Sequence, residues 1–84
     1  MENVITRHYT MSFPQQLIRE PILHNIGVKF GVVFNIVAAN VSESHGYLTL
    51  TFTAPAARIR EANDYLVARG VEVREIPAPQ PAVV

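Results

Sequence analysis

The sequence predicts an α+β domain: a four-stranded antiparallel sheet covered on one face by two helices. Three observations predict it. Residues 3–13 and 47–53 alternate apolar and polar side chains with the period of a strand. Two segments place apolar residues at helical spacing between a proline and a glycine. A third apolar run, 32–41, is rich in β-branched residues and leads through a short polar turn into the clearest strand.

In the first strand Ile5, Tyr9, Met11 and Phe13 share one face, while Val4, Thr6, His8, Thr10 and Ser12 share the other. Pro14 closes it, and Pro14-Gln15-Gln16 reads as a connection. A helix is expected from near Glu20, with Pro21 in the first turn, where its missing N–H has no intrahelical partner. Ile22, Leu23, Ile26 and Phe30 form its apolar face, and Gly31 supplies a left-handed stop. The run 32–41 is the second strand. Ser42-Glu43-Ser44-His45-Gly46 is a turn in which Gly46 is free to take positive φ.

In the third strand Leu48, Leu50 and Phe52 point inward, and Tyr47, Thr49, Thr51 and Thr53 point outward. Pro55 opens the second helix, Ile59, Ala62 and Leu66 give its inner face, and Gly70 ends it. Residues 71–76 make a short last strand with charges turned outward. Residues 1–76 thus form one domain, and 77–84, with three prolines in five residues, an extended tail. Met1 leads to the expectation of a complete chain.

The order β-α-β-β-α-β, with right-handed crossovers and a shared core, describes the ferredoxin-like split βαβ arrangement. Its first and third strands are central and its second and fourth are edges. The fourth is blunted by charge. The second is long and apolar, so a partner strand is its expected cover, and a homodimer through that edge follows.

Composition narrows the function. The 84 residues balance seven Lys+Arg against seven Asp+Glu, which removes the basic face of a nucleic-acid binder. No cysteine is present, so disulfides, thiolate nucleophiles and cysteine-held clusters are excluded. No run approaches the roughly 20 apolar residues that span a bilayer, and an export signal is lacking, so the expected setting is cytoplasmic with no membrane insertion.

His8, His24 and His45 fall on a strand, a helix and a turn, without metal-ligand spacing. Ser42 and Ser44 lack a nucleophile elbow, and the four glycines sit singly. An RNA-recognition domain would put exposed aromatics on its central strands, whereas the third strand offers threonines on its outer face and Phe52 in the inward register; an acylphosphatase-like site has only Arg19 in its favour. No enzyme, metal or cofactor is expected. Asn35 stands out because it interrupts an apolar strand. Its amide can offer NH2 to a carboxylate and C=O to an ammonium, the two ends of a zwitterion. It can equally cap a bulge or face water.

Together, Met11-Ser12-Phe13, Glu20-Pro21-Ile22-Leu23, Asn35-Ile36-Val37, Gly46-Tyr47-Leu48-Thr49-Leu50, Tyr65-Leu66 and Gly70-Val71-Glu72-Val73 are similar in order and spacing to the NIL domain. That family is the small regulatory module at the C-terminus of the ATP-binding subunit of bacterial methionine importers. The resemblance runs from about Arg7 to Ile76. It implies a dimer related in architecture to amino-acid-sensing ACT domains, with methionine bound near the dimer interface. It also implies a ligand contact at Asn35, with Ile36, Val37, Ala38 and Ala39 lining the same edge; Ile36, Val37 and Ala38 join Asn35 as candidate ligand contacts, with core or interface as their alternative role. Val37 departs from the motif leucine, and Ala38-Ala39 stand where glycine is frequent. No Walker motif is present, so the chain has no ATPase domain of its own. The expected function is a non-catalytic amino-acid-binding regulatory domain; the alternative is a ligand-free dimerisation module that docks on a partner protein.

Overall fold

The computed structural model describes residues 3–18 and 21–78. The expected helix start at Glu20, the candidate Arg19, Met1 and most of the proline-rich tail (79–84) lie outside the described residues. Four strands, β1 (Val4–Pro14), β2 (Val33–Val41), β3 (His45–Pro55) and β4 (Glu72–Ile76), form one antiparallel sheet in the order β2-β3-β1-β4. Among the described residues three helices accompany them: α1 (Gln15–Ile18), α2 (Ile22–Phe30) and α3 (Ala56–Ala68). The first and third strands are central, and β2 and β4 are the edges.

The alternation in β1 and β3 sets the layers. Tyr9, Met11 and Phe13 on β1, with Leu50, Phe52 and Ala54 on β3, are buried against Ile22 and Ile26 of α2 and Ile59, Ala62 and Leu66 of α3. Phe52, Ile26, Leu50 and Leu66 are the largest fully enclosed side chains. The rings of Tyr9 and Phe52 meet at 5.5 Å, so the two central strands are locked together at the middle of the core. The other face carries the threonines. Thr6 and Thr53, directly opposite in register, share a hydroxyl hydrogen bond of 3.0 Å.

Local chemistry ends each element. Gly31 takes the left-handed conformation (φ 69°) and its N–H donates to the Gly27 carbonyl at 3.0 Å, stopping α2 as its sequence predicts. The end of α3 is a Schellman motif. Val71 N–H donates to the Leu66 carbonyl and Gly70 N–H to that of Val67, both at 3.0 Å, with Gly70 at φ 99° and Val71 buried. The outer ends of the helices are joined by Phe30 and Tyr65 (5.8 Å, edge-on), with the Lys29 ammonium 5.0 Å above the Tyr65 ring.

Several expectations need correction. Gln15 and Gln16 do not belong to a bare connection: they open α1, whose Leu17 is buried in the core. A single buried leucine within four residues gives no helical periodicity to read, and the element order is therefore β-α-α-β-β-α-β. Pro21 precedes α2 as its N-cap instead of occupying its first turn. Gly46 lies inside β3, buried opposite Phe13, and the positive-φ glycines are Gly31 and Gly70. The hairpin is turned by Ser42 instead: its N–H donates to the His45 carbonyl at 2.8 Å, and its Oγ accepts from His45 N–H at 3.2 Å. On β4, Glu72 and Arg74 share the open face with their partners Ser12 and Thr10, but Glu75, opposite Tyr9, falls in the helix-side register. There it pairs with Arg7 at 3.5 Å.

Candidate ligand site on the second strand

Edge strand β2 is exposed from Val33 to Val41 except at Phe34, which is half-buried. Of the eight large hydrophobic residues that stand exposed among the described residues, Val33, Ile36, Val37 and Val41 are on this one strand. Apart from Val32 and Phe34, the apolar character read from the sequence is therefore not spent on this chain's own core. It lies bare along a sheet edge, where unpaired backbone groups already favour another strand.

A bulge decides which β2 side chains act together. Asn35 pairs with Thr51 and Ile36 with Leu50, but the next partners are Ala38 with Thr49 and Ala39 with Leu48. Val37 is the extra residue. Strict alternation would place Asn35 and Ala38 on opposite faces. The bulge resets the register, so Asn35, Ala38 and Asn40 all share the threonine-bearing open face, while Ile36 and Ala39 share the helix side. The four residues singled out by sequence are contiguous in the chain but divided between two faces.

Asn35 is exposed and its side chain makes no hydrogen bond among the described residues. Its amide is free to bind. Across the open face the row continues from Asn35 to Thr51 on β3, His8 on β1 and Ile76 on β4. The His8 Nδ1 is shielded from solvent and has no hydrogen-bond partner among the described residues. Beside this row lies a concavity of about 500 Å³ whose walls include Ala38, Asn40, Tyr47, Thr49, Arg74 and Glu72. Sequence reasoning missed Asn40 on this strand, and Arg74 and Glu72 across the sheet on the opposite edge strand β4, as walls of this concavity; the signal for Asn40 was a second asparagine in the same apolar run.

A separate apolar groove of about 190 Å³ lies on the helix side between α2 and the hairpin, lined by Phe13, Leu17, Ile22, Leu23, Val41 and Leu48, among others. It opens on the face opposite Asn35, so a molecule of amino-acid size cannot reach both. The histidines do not converge: His8 is on the open face, His24 lines the apolar groove, and His45 stacks on Tyr47 at 5.6 Å. Among the described residues no group of three His, Cys, Asp or Glu side chains comes together to hold a metal. No helix among them is long and apolar enough to cross a membrane.

The family model of the NIL domain matches residues 7–75. The chain belongs to the NIL domain family. Methionine import ATP-binding protein MetN of Helicobacter pylori (strain J99) is 31% identical to it over 72 residues, covering 81% of this chain and 22% of that protein. MetN of Cupriavidus metallidurans (strain CH34) is 32% identical over 72 residues, covering 81% and 21%. This NIL domain thus spans about a fifth of the length of the relatives it matches. Among solved structures, the de novo designed protein Foldit4 superposes with a TM-score of 0.51 at 8% identity, covering 92% of this chain and 100% of that one; the likeness extends to the fold alone.

Proposed function

We propose that this NIL domain is a non-catalytic, cytoplasmic regulatory domain that binds a free amino acid, methionine first among them, and acts as a homodimer joined through β2. The fold is then a ferredoxin-like variant with α1 inserted after the first strand. The observation that carries the reading is the position of Asn35: an exposed, unpaired amide on a bare apolar edge strand, in a family whose matched relatives are methionine importers. The amide NH2 donates to the ligand carboxylate and its carbonyl accepts from the ammonium. A partner copy at the same edge covers Ile36 and Val37 and shields those bonds from water, which strengthens them. With only a fifth of an importer subunit's length represented, regulation acts on whatever protein carries or meets the domain.

A second reading is favoured by the bare apolar strand alone: a ligand-free module that dimerises or docks on a partner protein through β2. Thermal-shift titration against the twenty amino acids separates the two. A saturable rise with methionine that is lost in Asn35→Ala supports sensing. No rise with any of them refutes it and leaves the docking module.

A further inference from the structure

The first half of α3 does not close down on the β1–β4 corner of the sheet, and a cleft of about 510 Å³ remains between them. Its lining carries two guanidinium groups from facing elements, Arg7 on β1 and Arg60 on α3. Glu75 is the acid in the lining, and it is engaged with Arg7 at 3.5 Å. Arg60 has no ion pair or hydrogen bond among the described residues, whereas its neighbour Arg58 is paired with Glu61 at 3.2 Å. The cleft therefore holds a net positive charge in a chain whose total is zero. Behind the arginines, Ile5, Ile59 and Ala56 give an apolar wall. Tyr9 and Asn63 complete the lining, and the Asn63 Oδ1 is shielded without a hydrogen-bond partner among the described residues.

We propose that this cleft is a second binding site, distinct from the Asn35 edge, for a small organic carboxylate with an apolar chain. A guanidinium presents a planar fork that matches a carboxylate, and beside a low-dielectric wall such a bond is stronger than at an open surface. Arg60 takes the carboxylate, Arg7 adds a second cation from across the cleft, and the apolar chain lies along Ile5 and Ile59. The site needs nothing from β2, so it stands or falls independently of the amino-acid reading.

The test is an NMR titration of the isotope-labelled full chain with butyrate, following the Nε–H signals of Arg7 and Arg60 and the Asn63 side-chain amide. Butyramide serves as the uncharged control and inorganic phosphate as the control for simple charge. The proposal expects saturable shifts with butyrate, none with butyramide, at least tenfold weaker binding in Arg60→Gln, and unchanged binding in Asn35→Ala. Arg60 is exposed, so its replacement leaves the fold intact, which the remaining spectrum checks. The proposal is overturned by an absence of saturable shifts, by equal shifts with butyramide, by binding of phosphate in preference to butyrate, or by undiminished binding in Arg60→Gln.

Discussion

Asn35 and His8 stand in one cross-strand row on the open face of the sheet, two strands apart, with Thr51 between them. At the usual strand spacing their Cα atoms are about 10 Å apart. A ligand held by the Asn35 amide lies beside the Thr51 hydroxyl. The expected order of effect on amino-acid affinity is therefore Asn35→Ala greatest and Thr51→Val smaller but measurable. Because Asn35 is exposed and unpaired, its replacement should change unfolding free energy by no more than about 0.5 kcal/mol. Calorimetric binding and denaturant melts on the same samples check both halves.

The exposed apolar strand makes its own prediction. Ile36 and Val37 are 46% and 55% exposed at an unpaired edge. A lysine there repels a second copy across a two-fold interface and cannot be desolvated cheaply. Sedimentation should find a dimer for the parent chain and a monomer for Ile36→Lys, with the circular dichroism unchanged. A parent chain that stays monomeric at high concentration contradicts the β2 interface.

Phe52 is fully enclosed and its ring meets that of Tyr9. Phe52→Ala leaves a cavity in the centre of the core and should cost about 3–5 kcal/mol. For a domain of this size that lowers the melting temperature by roughly 12 °C or more. Scanning calorimetry measures it directly.

Two glycines in the same helix region should respond with opposite signs. Gly31 holds φ 69°, and a Cβ there meets nothing within 4 Å, so Gly31→Ala costs backbone strain of about 1 kcal/mol. Gly27 lies inside α2, and a Cβ there would be 3.5 Å from the Val32 carbonyl oxygen, an ordinary contact. Gly27→Ala should therefore stabilise by about 0.5–1 kcal/mol through reduced chain entropy. Paired chemical melts settle the two signs.

Burial, the largest influence, raises the Tyr9 phenol above its ordinary value of 10.0; Glu75 adds to the rise, while Asn63 and Arg7 oppose it. The unfolded chain then loses this proton first as the solution becomes alkaline. The contribution of Tyr9 is fully present below about pH 10 and is lost as pH rises through the higher folded value. Melting temperature should fall more steeply above pH 10 in the parent chain than in Tyr9→Phe.

Much of the fold was legible because the periodicities were undiluted. Tyr9-Met11-Phe13 and Leu50-Phe52 gave the core faces of the central strands, and Ile59-Ala62-Leu66 gave that of α3. Gly31 and Gly70 marked helix ends because both sites need positive φ. What failed lacked a periodic signal. The single turn of α1 places one leucine in the core, and Gly46 looked like a turn residue although it is a strand residue opposite Phe13. At the candidate site Asn35 was singled out by its misfit among apolar neighbours, and the structure leaves it exposed with no side-chain hydrogen bond among the described residues. Its association with Ala38 and Asn40 was not legible, because a bulge at Val37 inverts the face parity and no residue type there announces it.

Binding of an amino acid at Asn35 is the proposal on which the rest depends, and isothermal titration calorimetry of the full chain with methionine addresses it without intermediaries. Saturable binding is expected with one methionine per chain, abolished in Asn35→Ala while that variant keeps its fold and its dimer. An absence of heat for methionine and the other nineteen amino acids, or binding that survives Asn35→Ala unchanged, would contradict it.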